Sequence, residues 1–324
     1  MSQTAPGSSR QTPYFVPRRF AHANLFVDDY EKSAAFYKRV VGIEEVYRQP
    51  NNMAVFLSNG NTYHDLALTS KSSKYAAPDH KAGIWHYAFE LETEAALVEG
   101  YEAAVADRLP IAFVMDHDVA RSVYLSDPDR NLVEMTADVE KDWRPMRSGV
   151  IIKDKPKWVP GVTSVPLTEK NYPQNPEIVV VKEALFHPTK VAHLAMVADD
   201  FEKMFDYYVG PAGLAPVLGD RTSSAAVFRG TVGAEDFAIY RKGDGLSPGY
   251  HHLGFEVRDE ADLAASIRAL PASGVTVERV LDHPARLAVT VRDLDGLFLQ
   301  FFTNRKWDAR ELAGLDADTA RFLL

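Results

Sequence analysis

Cysteine is absent from all 324 residues. Disulfides, iron–sulfur clusters and thiol nucleophiles are therefore excluded, and any bound metal must be held by histidine and carboxylate. No stretch approaches the roughly 18 apolar residues of a membrane span. The opening MSQTAPGSSRQTP has no apolar centre like that of a secretory signal. A cytoplasmic protein without a membrane partner is expected. Positive charge is also short: 36 Lys and Arg face 45 Asp and Glu, a net charge of −9. No basic tract offsets that acidity, so nucleic acid is not the expected partner. The remainder is ordinary for a globular chain, 46% hydrophobic and 25% charged. The length suffices for two domains, each with its own core.

The chain repeats itself. Residues 18–42, RRFAHANLFVDDYEKSAAFYKRVVG, return as 189–213, TKVAHLAMVADDFEKMFDYYVGPAG. Each copy has an alternating apolar run around a central His, which reads as a strand. An Asp pair then suits a helix N-cap. Gly42 and Gly213 suit the C-terminal stops of those helices. Residues 61–70 match 233–242, 83–92 match 249–258, and 116–138 match 282–304. The one change of length lies between His22 and His86, 64 residues apart against 59 from His193 to His252, with a longer loop around residues 71–80 in the first copy.

A second level of repetition runs inside each copy. His22 and His86 each open a strand–helix–strands unit, and Ala67 and Glu134 each fall in its last strand. The expected fold class is α+β: two domains, each of two paired βαβββ modules whose strands curl around a central cavity. The expected order is a mobile polar arm (1–18), a metal-binding domain (19–138), a Pro-rich linker (139–187), a degenerate domain (188–306) and a C-terminal helical segment (307–324). The linker is long enough to wrap a domain or arch over a site, and its apolar 177–185 is read as a further strand. The C-terminal segment is read as an exposed or oligomer-facing helix.

Three residues stand out at matched repeat positions: His22, His86 and Glu134. Their counterparts are His193, His252 and Gln300. From the second His to the acid or amide is 48 residues in both copies (134 − 86 and 300 − 252). Two neutral imidazoles and one carboxylate, with other positions open, is how non-haem Fe(II) is held for oxygen chemistry. A carboxylate inside the apolar strand NLVEMTA is costly unless paired or bound to a cation. Ala67, at the position equivalent to Glu134, offers only a methyl group and leaves that side of the metal open. Mn(II) is the alternative ion, since the ligand types do not separate the two.

These residues resemble the vicinal oxygen chelate superfamily, which includes glyoxalase I, bleomycin-resistance proteins and type I extradiol dioxygenases. The resemblance covers about 20–138 and 188–305. Within it the first domain is similar to catechol 2,3-dioxygenase-type enzymes, whose signature reads here as His117, Tyr124, Asp127, Pro128, Arg130 and Glu134, with Arg130 in place of the usual Gly. The resemblance implies His22, His86 and Glu134 as Fe(II) ligands and His64 as the acid–base group. It implies that His117 and Tyr124 bond to substrate oxygens, and it implies a catecholic substrate with O2 and a homo-oligomer. Many two-domain relatives keep their metal in the second domain; here the first is expected to hold it. In the second, Gln300, Thr290 and Glu235 replace Glu134, Tyr124 and His64, so a retired site is expected although His193, His252 and His283 remain. His80, His187 and His251 are read as structural or surface residues. Two other readings stay open: a glyoxalase-type isomerase or lyase, disfavoured by Ala67, and a metal-free binding protein of bleomycin-resistance type.

Overall fold

A computed structural model describes residues 12–243, 245–306, 308, 310 and 314–324. The first module runs β1 (Arg19–Val27), α1 (Tyr30–Phe36, continued by a π-helical turn Tyr37–Val41), β2 (Glu44–Gln49), β3 (Ala54–Ser58) and β4 (Leu66–Ser70). The second runs β5 (Gly83–Glu90), α2 (Glu94–Ala106), β6 (Ile111–Asp116), β7 (Ala120–Ser126) and β8 (Leu132–Asp138). A short β9 (Gly149–Val150) follows. The third module is β10 (Pro188–Ala198), α3 (Phe201–Val209), β11 (Ala215–Leu218), β12 (Ala225–Arg229) and β13 (Phe237–Arg241). The fourth is β14 (Gly249–Val257), α4 (Glu260–Ser273), β15 (Val277–His283), β16 (Arg286–Arg292) and β17 (Phe298–Asn304), and α5 (Ala317–Leu323) comes last.

In every module the first strand pairs parallel with the last, and the intervening strands add on antiparallel. Two modules then join through their first strands, β1 against β5 and β10 against β14, both antiparallel. The result is two mixed sheets, in the orders β6-β7-β8-β5-β1-β4-β3-β2-β9 and β11-β12-β13-β10-β14-β17-β16-β15. The Asp pairs cap as their type predicts: Asp29 accepts from the Lys32 amide and Asp200 from the Lys203 amide, both at 3.2 Å. None of the described helices is long and apolar enough to cross a membrane.

The two sheets share one continuous core, with Phe186 stacked on Phe301 (3.7 Å) and Tyr87 on Phe237 (5.4 Å). The contacts between halves repeat like the sequence. Tyr208 donates to Asp127 Oδ2 at 3.0 Å, and its counterpart Tyr37 donates to Asp293 Oδ2 at 2.9 Å. Phe15 and Phe186, 171 residues apart, are both buried beside a glycine of the other half. A Cβ on Gly213 would lie 1.8 Å from the Phe15 carbonyl oxygen, and one on Gly42 would lie 2.1 Å from that of Phe186. Both glycines have left-handed φ, +74° and +81°.

Four expectations need correction. Residues 12–18 are not a mobile arm: buried Tyr14 donates to Asp107 Oδ2 at the end of α2 at 3.0 Å, and buried Phe15 sits beside Gly213 of the second half; residues 1–11 lie outside the described residues. Helix α3 stops at Val209 with Gly210 as its cap, ahead of Pro211, rather than at Gly213. Residues 177–185 form no strand; the strand the linker adds is β9, paired with Tyr47 and Arg48. The C-terminal segment is exposed at Arg310, Gly314, Asp316 and Asp318, but its last two residues are not. Leu323 and Leu324 are fully buried against Ala195, Val227, Ala238 and Tyr240 of the second sheet. Residues 307, 309 and 311–313 of that segment lie outside the described residues.

Candidate metal centre

The strand register brings the triad together. His22 on β1 sits opposite Ala88 on β5, and Ala88 sits opposite Glu134 on β8. His22, Ala88 and Glu134 therefore form one row across three strands. His86 is two residues along β5 from Ala88, on the same face. The small Ala88 lets the imidazole reach past it: His22 Nε2 is 3.0 Å from Glu134 Oε2. His86 Nε2 is 3.4 Å from the same oxygen. Ser122 donates to the other oxygen, Oε1, at 2.5 Å and fixes the carboxylate plane. All three ligand atoms lie within 4.8 Å of one another and all three side chains are buried.

The electrostatics suit a cation. Burial works against the Glu134 charge, but the facing imidazoles of His22, His117 and His86 outweigh it and hold the carboxyl well below its usual range. Burial pulls His86 down to about 4 despite Glu134, so its ring is neutral at physiological pH. Two imidazole nitrogens and one carboxylate oxygen, enclosed and facing each other, are a donor set that fits Fe(II) or Mn(II). Within each module, the residue two beyond the His pairs with the last strand: Ala88 with Glu134, and Asn24 with Ala67. Ala67 thus holds the site equivalent to Glu134 and cannot coordinate.

His64 reaches this centre because β4 begins only at Leu66. The strict alternation of a strand would send His64 and Ala67 to opposite faces; a turn before the strand removes that conflict. Buried Asp65 pins the turn, accepting from Ser58 Oγ (2.7 Å), the Asn59 amide (2.8 Å) and Thr62 Oγ1 (3.1 Å). The His64 ring lies 4.1 Å from that of His22. Its Nδ1 is buried with no hydrogen-bond partner among the described residues. Burial, then the neighbouring His22 and His117 rings, keeps its pKa well below the ordinary value.

His117 follows β6, and Tyr124 sits on β7 directly opposite Glu134. His117 Nε2 is 3.1 Å from the Tyr124 hydroxyl and 3.8 Å from Glu134 Oε1. Burial and then the Glu134 charge push the Tyr124 phenol well above its usual value, so it keeps its proton. These six groups, His22, His64, His86, His117, Tyr124 and Glu134, line a cavity of about 550 Å³ together with Asn24, Phe56, Trp85 and Phe113. His80 packs on Phe26 outside this cluster, and His187 bonds Asp262.

Sequence reasoning missed part of the wall. Residues 151–155 of the linker line the cavity. Arg147, fully buried, donates to the His117 carbonyl and to Asp118 Oδ2. Lys155 Nζ stands 2.9 Å from His117 Nδ1. No periodicity marks an irregular segment, so nothing in the sequence placed these residues. Asn24, by contrast, carried a signal: a polar residue two positions after His22 in an apolar strand, and Thr69 Oγ1 donates to its carbonyl at 3.0 Å.

The second half has the same row without the same chemistry. His193, Gly254 and Gln300 lie across β10, β14 and β17. His193 Nε2 faces His252 Nε2 at 3.2 Å, and His251 Nδ1 faces His252 Nδ1 at 2.7 Å. Gln300 turns away and donates to the Phe322 carbonyl of α5 at 2.8 Å. Glu235, in the place of His64, is paired with buried Arg286, which also donates to the Leu323 carbonyl at 3.0 Å. His283 lies at the end of β15, where its Nδ1 accepts from the Ala285 amide.

The profile of the Glyoxalase/Bleomycin resistance protein/Dioxygenase superfamily matches residues 19–135 and 190–301. A catechol-2,3-dioxygenase of Bacillus subtilis (strain 168) is 25% identical over 209 residues, 64% of this chain and 68% of the relative. The 2,3-dioxygenase LapB of Pseudomonas sp. KL28 superimposes with a TM-score of 0.65 at 15% identity, covering 90% of this chain and 93% of that one. A Mn(II)-bound glyoxalase of Novosphingobium aromaticivorans superimposes at 0.63 and 16% identity, over 90% and 84% of the two chains.

Proposed function

The chain belongs to the Glyoxalase/Bleomycin resistance protein/Dioxygenase superfamily, and from that premise we propose that it is an Fe(II)-dependent extradiol dioxygenase, opening a catechol-type ring with both atoms of O2. One observation carries the reading. A His22–His86–Glu134 triad, bare on the Ala67 side, shares its cavity with His64, His117 and Tyr124. The catechol-2,3-dioxygenase relative supports it. Mn(II) is the alternative ion.

Bound by the triad, the metal supplies a Lewis acid and a template for two reactants. The protein's own groups do the rest. His64 is neutral and its Nδ1 is unpartnered, so it is available to take a proton from a diol hydroxyl and return it to the ring-opened product. Tyr124 and His117 stand together opposite Glu134 and meet negative charge developing on substrate oxygen. Phe56, Trp85 and Phe113 give the ring an apolar seat, and the volume lies in the range of small-molecule sites. A fourth protein ligand, as an isomerase of glyoxalase type would use, has no donor at Ala67.

The test is O2 uptake. Protein purified without air, loaded with Fe(II) and given catechol and substituted catechols should consume one O2 per ring and yield a yellow product. Bound iron with no uptake would move the reading to isomerase or lyase chemistry. Failure to bind any metal would move it to a binding protein.

A further inference from the structure

We propose that Trp85, Leu132 and Phe113 form a subsite beside the metal triad that selects substrates carrying a ring-sized apolar substituent. The inference deepens the dioxygenase reading and rests on it for the diol that the substituent hangs from. The subsite itself stands on strand register and on what fills the equivalent place in the second half.

Trp85 owes its position to a β-bulge. His86 pairs with Asn24 and Ile84 with Leu25, so Trp85 is an extra residue with no partner on β1. Neighbours in a regular strand point to opposite faces. A bulge re-aims one of them, and the Trp85 ring lies 4.8 Å from that of His86. It stacks on Phe26 of β1 (5.2 Å) and on Tyr75 (4.9 Å). Tyr75 comes from the loop that is longer in the first copy, and its hydroxyl donates to Asn52 Oδ1 at 3.2 Å. The other side of β5 is occupied, in sheet order, by β8, β7 and β6. Leu132 on β8 pairs with His86, and Phe113 on β6 stacks on Tyr124 at 4.2 Å. Trp85, Leu132, Phe113 and Tyr75 all line the cavity. Tyr75 and Phe113 are also 43% and 40% exposed, and large apolar side chains left open beside a cavity are the mark of a ligand groove. A cavity of about 550 Å³ suits a ligand larger than a bare diol ring.

The second half shows what such a place accepts. The bulge recurs there: His252 pairs with Ala195 and Tyr250 with Met196, which leaves His251 in the position of Trp85. Phe298 pairs with His252 as Leu132 pairs with His86. Arg279 lies opposite Thr290 as Phe113 lies opposite Tyr124. One ring meets all three. Phe322 of α5 lies 5.6 Å from the His251 ring and 5.8 Å from the Phe298 ring, with the Arg279 guanidinium 5.5 Å from its centre. The chain thus fills this corner of its second half with a phenyl group of its own. In the first half the three equivalent residues are all apolar, and among the described residues no ring stacks on both Trp85 and Phe113. The linker residues that line the cavity, 151–155, include no aromatic. A substituent of the size of the Phe322 ring therefore has a place waiting for it next to His86.

Binding without O2 tests the subsite apart from the reaction. The probes are catechol, 3-phenylcatechol and 4-phenylcatechol, titrated calorimetrically into Fe(II)-loaded protein. One phenylcatechol should bind at least about 10-fold tighter than catechol, the gain expected from burying a phenyl group. In Trp85→Leu and in Phe113→Ala that preference should fall about 3- to 10-fold, the worth of an aromatic contact. The preference is a ratio between ligands on the same loaded protein, so a general loss of fold or metal moves both ligands alike and leaves it unchanged. Phenylcatechols that bind no tighter than catechol overturn the proposal, as does a preference that survives both substitutions. Binding of none of the three would overturn it together with the dioxygenase reading. A tightly bound phenylcatechol that draws no O2 when air is admitted would end the dioxygenase reading and leave the subsite standing.

Discussion

Across β1, β5 and β8 the first half presents His22, Ala88 and Glu134; across β10, β14 and β17 the second presents His193, Gly254 and Gln300. The middle residue matters as much as the outer two. Ala88 has a methyl group, and His22 is directed over it to the carboxylate. In the second half a Cβ on Gly254 would lie only 2.2 Å from the His193 ring, which has settled into that space and faces His252 instead. The chain after the last strand completes the contrast. In the first half it becomes a strap that leaves a cavity of about 550 Å³. In the second it returns as α5, where the Phe322 and Leu323 carbonyls accept from Gln300 and Arg286 and where Leu323 and Leu324 pack with Ala195, Val227, Ala238 and Tyr240. The second half thus differs from the first in ligand, in support and in access at once.

The sharpest way to test the comparison is to copy the second half into the first. Glu134→Gln should weaken Fe(II) binding more than about 100-fold, beyond the loss typical of supporting residues, and remove activity with it. Iron per chain after desalting is the readout; a variant that keeps one iron would break the contrast. His64→Ala comes next. Its counterpart Glu235 is an ion-pair partner of Arg286, so only the first half should use this position chemically. Iron should stay bound while kcat falls about 10²–10⁴-fold, and normal turnover would remove His64 from the mechanism.

Acid stability should expose both halves together. His251 is depressed to about 4 by burial and by Arg321, and His193, His252, His64 and His117 are also held low. Each folded ring stays neutral while the unfolded chain takes up a proton below about pH 6.5. The unfolded state then binds more protons, so stability is full above that pH and falls as pH drops from about 6.5 toward 4. His251 alone accounts for up to about 3 kcal/mol. Melting temperatures across this range should fall less steeply in His251→Gln than in wild type; equal slopes would mean the ring is already solvated. The converse graft, Gln300→Glu, should bind no second iron. It faces a carboxylate with the Phe322 carbonyl that the amide now serves, at a cost of about 1–3 kcal/mol. A second iron in that variant would show that the ligand alone had been lost.

Much of this was legible in the sequence for a physical reason. Repeats preserve spacing, and spacing fixes register, so the modules, the cap residues Asp29 and Asp200 and the row of candidate ligands could be read from offsets alone. His64 could be read only with a late start to β4, which Asp65 enforces through contacts at residues 58, 59 and 62. A linker able to arch over a site and a C-terminal helix were legible, but where the strap and α5 dock was not. Neither has a repeat partner, and what each does depends on where the chain returns rather than on its own pattern. An apolar stretch such as 177–185 looked like a strand, yet β9 formed at Gly149–Val150, where the edge of β2 was open.

The smallest effect concerns one turn that both halves share. After Asp127 and after Asp293 the chain makes the same tight turn, closed by the Arg130 amide on the Asp127 carbonyl at 3.0 Å and by the Gly296 amide on the Asp293 carbonyl at 3.2 Å. The residue in the left-handed position is Arg130 (φ +68°) in one half and Gly296 (φ +81°) in the other. A side chain there costs about 1–2 kcal/mol, and glycine returns about half of that through its freedom in the unfolded chain. Arg130→Gly should therefore raise the melting temperature by about 1–2 °C, and Gly296→Arg should lower it by a similar amount. Neither change should alter iron content, since the turn keeps its hydrogen bonds in both. Opposite shifts would confirm that the halves differ here only in backbone strain. If both variants lose stability, the Arg130 side chain is holding something the turn geometry does not account for.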